Sequence, residues 1–192
     1  VISDHGHLPV SRVLNPNVYL AEAGLIDVDE NGNLVDWKAY CNSTSLSCQV
    51  VMKDPTDEKT RAALEKVLYG LRNDLSSGVE SVFTKEECER EYHLAGDFEY
   101  VLEGRERTSF GNAWTGAKMV TPDNSDYKFS VASHGHLPHK GPQPVFIMAG
   151  PDVREGVVFE RKRIIDEAPT FAAMLHFDMP QATGHAISEI LK

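Results

Sequence analysis

Between residues 58 and 75, Ala63, Val67, Leu68, Leu71 and Leu75 recur at helical spacing, behind a stop and cap supplied by Asp54-Pro55-Thr56-Asp57. A helix with one apolar stripe must lay that stripe on a partner, and its flanks supply one: residues 48–52 and 79–83 both have strand character. Ser76-Ser77-Gly78 breaks the helix, and Thr84-Lys85-Glu86-Glu87 has the capping-box form that opens another. Residues 97–102 and 107–110 then read as a strand pair joined at Gly104. The order strand, helix, strand, helix, strand, strand predicts a small α+β subdomain over residues 34–117. It is inserted between core segments at 1–33 and 118–192, within an α/β fold.

The flanking segments are shorter in period. Val1-Ile2-Ser3 reads as the end of a buried strand running into the polar turn Asp4-His5-Gly6-His7. Asn15 caps a short amphipathic helix closed by Gly24, and residues 29–33 form a turn. Strands are expected at 129–132, 145–149 and near 157–159, and a helix through 170–175 follows Pro169, which suits a helix's first turn. The last element, 184–192, has no clear type.

With 41 % hydrophobic residues in 192, the chain can build a sizeable core. Nineteen Lys and Arg against 29 Asp and Glu leave a formal charge of −10, the wrong sign for gripping a nucleic-acid polymer. Anion binding would need a local positive source such as metal ions. No apolar run approaches the roughly 20 residues of a membrane span. Three cysteines, Cys41, Cys48 and Cys88, without a close pair argue against a disulfide framework and a cysteine zinc site, and favour a reducing, cytoplasmic setting. The opening Val-Ile-Ser-Asp-His is read as the start of a fragment or processed product. Strand edges left unpaired at such a start could associate, giving a homodimer.

One internal echo stands out. His5-Gly6-His7-Leu8-Pro9 recurs as His134-Gly135-His136-Leu137-Pro138, each copy at the end of an expected strand. Imidazole nitrogen and carboxylate oxygen are good ligands for first-row metals, and glycine beside a ligand lets the backbone turn sharply. Asp4, His5 and His134 could then meet around a metal pair. The alternative is that both strings are surface turns, since ligands so far apart show no local register.

These residues also carry a resemblance. Ser3-Asp4-His5-Gly6-His7 with Pro9, together with Ser133-His134-Gly135 through Gly150-Pro151 and Asp166-Glu167-Ala168-Pro169-Thr170, resembles the C-terminal part of type I phosphodiesterase/nucleotide pyrophosphatase proteins of the alkaline phosphatase superfamily. It covers residues 1–25 and 127–192 and is weak between them. It implies part of an alkaline phosphatase-like core sheet with helices, and a site of two divalent ions, zinc, for a phosphate ester such as a nucleotide. Asp4 and His5 would bind the metal that activates the nucleophile, and His134 the other. The family's nucleophile and further ligands should lie before Ser3, so the chain alone is expected to be inactive.

His7 and His136, two residues beyond the proposed ligands, could orient them or touch phosphate, or could be plain turn residues. His139 and Lys140 could meet a substrate anion, against the simpler reading of a solvated loop. Thr170 and Ser133 are poor nucleophile candidates, and Trp37 and Trp114 suit packing better than base stacking. The acidic stretch Glu86-Glu87-Cys88-Glu89-Arg90-Glu91 reads as a solvated helix face. Competing functions are a phosphomutase or phosphonate hydrolase with the same turns, and a non-catalytic binding module.

Overall fold

Residues 1–123, 125 and 131–192 are described by the computed structural model. In chain order the elements are β1 (Leu8–Pro9), β2 (Arg12–Leu14), α1 (Pro16–Glu22), β3 (Ile26–Val28), β4 (Leu34–Trp37), β5 (Ala39–Ser43), β6 (Ser47–Met52), α2 (Glu58–Asn73), β7 (Val79–Thr84), α3 (Lys85–Tyr92), β8 (Tyr100–Gly104), β9 (Thr108–Phe110), β10 (Met119–Val120), β11 (Ala132–Ser133) and α4 (Glu167–Met174). The fold is mixed α/β, as expected. It divides into two units, Gly6–Pro142 and Val1–His5 with Gln143–Lys192.

The larger unit is built on an antiparallel sheet in the order β5-β6-β8-β7. Alternation along β6 buries Cys48, Val50 and Met52 on one face, where Leu64, Leu68 and Leu71 of α2 meet them in the main core. Val51, Phe83 and Val101 pack with Cys88 of α3 and Phe98 in a second cluster. Asp57 caps α2 through the Lys59 and Thr60 amides, and Thr84 and Glu87 form the complete capping box of α3. Fully buried Asn17 on α1 donates to the Cys41 carbonyl (2.9 Å) and accepts its amide (2.7 Å), so a side-chain amide serves the edge of β5.

Three expectations for this unit are corrected. The β8 and β9 segments do not pair with each other: β8 lies between β6 and β7, while β9 runs parallel to β2, whose Arg12 donates to Thr108 Oγ1 (2.7 Å). Arg107, at φ 64°, turns the chain out of the first sheet between them. Leu75 is 72 % exposed, because α2 ends at Asn73 and Asp74 takes extended backbone. Asn15 does precede α1, but its side chain donates to the Ala117 carbonyl (2.9 Å) instead of capping the helix. Of the strand expected at 129–132, residues 129 and 130 lie outside the described residues, and Ala132 belongs to β11.

The smaller unit contains α4, a 3₁₀ turn at Ile164–Asp166 leading into it, and a second at Ser188–Ile190. The strands expected at 1–3, 145–149 and 157–159 do not form ladders. Residues 1–3 and 145–147 pair only through one isolated bridge, Ile2 to Phe146, too short to make a ladder, and Val1 is 85 % exposed, not buried. Phe146 instead gathers Phe159 and Phe171, with ring centroids 5.9 and 6.3 Å away. Among the described residues no helix is long and apolar enough to cross a membrane.

Candidate functional site

In the smaller unit, the Val1 α-amino group donates to the Ile147 carbonyl (2.6 Å), the Ile147 amide to the Val1 carbonyl (2.8 Å) and the Ser3 amide to the Val145 carbonyl (3.1 Å). This short pairing leads the chain into Asp4 and His5, whose Oδ2 and Nε2 lie 3.4 Å apart. Both reach solvent, so a carboxylate oxygen and an imidazole nitrogen of adjacent residues are presented together.

The second turn is built in the larger unit. The antiparallel pairing of β1 with β11 sets Leu8 opposite Ser133 and Pro9 opposite Ala132. Two residues of ladder thereby bridge the long sequence gap and bring His7 close to the second His-Gly-His string. The His7 and His134 rings stand 6.0 Å apart between centroids. Gly135 sits at φ +90°, and a Cβ there would strike the Thr44 carbonyl oxygen, so the turn needs glycine; at Gly6 a Cβ would strike the Pro142 carbonyl.

The loop beyond His134 is partly solvated but is anchored through Lys140. Lys140 donates to Glu80 Oε2 (2.6 Å) and the Gly104 carbonyl (2.7 Å) and lies 3.0 Å from Glu103 Oε1. Glu103 is 2 % exposed and also accepts the Leu137 amide (3.1 Å). Burial pushes the Glu103 carboxyl above the usual carboxylate range, against the pull of that amide and of Lys140. Burial works to lower Lys140, but its bonds to Glu80 and Glu103 outweigh it and hold the ammonium above its ordinary value. His136 is half-buried in the same loop, lining a hollow of about 220 Å³ with Phe83, Cys88, Tyr92 and Val101, and His139 is exposed.

Sequence reasoning missed Glu103. The available signal was a carboxylate at the end of the apolar run Tyr100-Val101-Leu102, in a strand whose five residues are all buried. Thr170 is a structural hydroxyl: fully buried, it donates to the Asp166 carbonyl (2.7 Å) and accepts the Ile187 amide (2.9 Å). Ser133 Oγ bonds Ser45 Oγ. Trp114 packs near Tyr40 and donates to the Gly32 carbonyl (3.0 Å). His93 and His176 stand at helix ends with positive φ. No group of three or more His, Cys, Asp or Glu placed to hold a metal occurs among the described residues.

No family model matches this sequence, and no curated protein matches it. Solved structures that align with the whole of it include human ectonucleotide pyrophosphatase/phosphodiesterase 5, at 14 % identity and TM-score 0.64, and its murine counterpart, at 19 % and 0.61. The chain has the fold of part of a nucleotide pyrophosphatase/phosphodiesterase. It spans 44 % of the length of each of those proteins. This phosphodiesterase-like fold agrees with the expected alkaline phosphatase-like architecture.

Proposed function

We propose that the chain is part of a metal-dependent phosphoric ester hydrolase of the phosphodiesterase/nucleotide pyrophosphatase kind, taking a phosphate ester such as a nucleotide. Asp4 and His5 would hold one divalent ion, zinc, and His134 the second. Bound there, such ions neutralise phosphate oxygens and stabilise the attacking and leaving oxygens. The observation that carries this reading is the β1–β11 pairing, which sets His7 beside His134.

The donors fit the group. Carboxylate and imidazole are the ligand types such ions take, and Asp4, His5 and His134 all reach solvent. His7, whose ring centroid lies 6.0 Å from that of His134, and His136 and His139 are candidates to orient ligands or meet the phosphate. An acidic protein gains from this a local centre of positive charge.

Calorimetric titration of the chain with zinc, beside Asp4→Ala and His134→Ala, tests the reading. Saturable binding weakened about tenfold or more by each substitution is expected. Equal, negligible binding in all three chains would remove Asp4 and His134 as metal ligands of this chain.

A further inference from the structure

We propose that Glu103 and Lys140 are positioning residues, a buried ion pair at the end of β8 that fixes where the second His-Gly-His turn stands. The inference rests on the metal-site reading of that turn.

The turn is gripped on two sides. On one, the hairpin between β5 and β6 holds its start: the Leu46 amide donates to the His134 carbonyl (3.0 Å), Ser45 Oγ meets Ser133 Oγ, and the Gly135 backbone lies against the Thr44 carbonyl. On the other, Glu103 holds its exit. One carboxylate oxygen takes both the Leu137 amide and the Lys140 ammonium, three and six residues after His134. Lys140 is itself tied to the Gly104 carbonyl and to Glu80, so the exit is fastened to the strand backbone as well as to its side chains.

A charge pair in this position calls for an explanation beyond stability. Glu103 stands in a strand whose neighbours are apolar and buried, and ionised groups lose their hydration there. Apolar residues of similar volume would hold the fold about as well. What apolar side chains cannot do is accept a particular backbone N–H and direct a particular ammonium. The pair therefore supplies orientation, and the segment it orients begins at His134.

The test removes both charges at once, so that neither is left buried alone. In Glu103→Leu/Lys140→Met the thermal transition is expected to remain cooperative, and the Leu137 amide to exchange with solvent about tenfold faster or more, while Leu102 within β8 keeps its protection. Zinc affinity is expected to fall about 10- to 100-fold, as for loss of a group that orients a ligand. Lys140→Arg, which keeps the charge, should retain wild-type affinity and serves if the double variant does not fold, with Lys140→Met as its counterpart. Unchanged zinc affinity in the folded variants overturns the proposal, as does unchanged Leu137 exchange. If the wild-type chain binds no zinc, the metal reading fails and Leu137 exchange alone decides whether the pair holds the turn.

Discussion

Cys88 is 1 % exposed on the inner side of α3, and burial, reinforced by Glu87, Glu86 and Glu91, pushes its thiol up to about 11. Cys48 is raised well above its ordinary value by burial beside Cys41. Deprotonation is what makes a thiol nucleophilic, so at pH 8 on the order of 0.1 % of Cys88 would be thiolate even if it were reached. An aromatic disulfide reagent should therefore find no fast-reacting thiol in the native chain at pH 8 and three in denaturant; prompt reaction of the native Cys88 would contradict its placement. At this scale the sequence showed which residues were chemically able and not which were held. His5, His134 and their glycines were legible as a repeated string. The Glu103–Lys140 pair was not, because its members are 37 positions apart by number and neither belongs to a motif.

Helix α2 and its flanking strands were legible because local rules agree there: a cap at Asp57, an apolar stripe and a glycine break. Leu68, fully buried against the sheet, and Leu75, beyond the helix end, carry the same side chain in opposite surroundings. Leu68→Ala should cost about 2–5 kcal/mol in denaturant unfolding, and Leu75→Ala at most about 0.5 kcal/mol. Comparable losses would mean that the helix runs further than Asn73. The pairing of β9 with β2 was not legible, since strand character in residues 108–110 carries no record of a partner nearly a hundred positions away. The segments at 145–149 and 157–159 look like strands by composition, yet a strand is defined by its neighbour: residues 145–147 pair only with the short segment 1–3, in one isolated bridge, and 157–159 belongs to no strand.

Taken whole, the chain reproduces less than half of the phosphodiesterase-like proteins whose fold it shares. Its best hydroxyl candidates are both engaged in structural hydrogen bonds, Thr170 between Asp166 and Ile187 and Ser133 with Ser45. Incubation of the isolated chain with a phosphodiester and zinc is accordingly expected to give no turnover. Hydrolysis abolished by His134→Ala would require a nucleophile within these residues.

The two-residue contact of β1 with β11 also bears on how the molecule assembles. Joined directly in an open chain, these strands would close a loop of roughly 120 residues, at an entropic cost of about 4 kcal/mol before any added constant. Hairpin β5–β6 is local, and β2 is flanked by β9 and β10. Once β10 is seated, only about a dozen residues separate it from β11, and the remaining closure is far cheaper. The β1–β11 contact that sets His7 beside His134 is thus least costly to close after β10 has joined β2, so its formation depends on a sheet already in place.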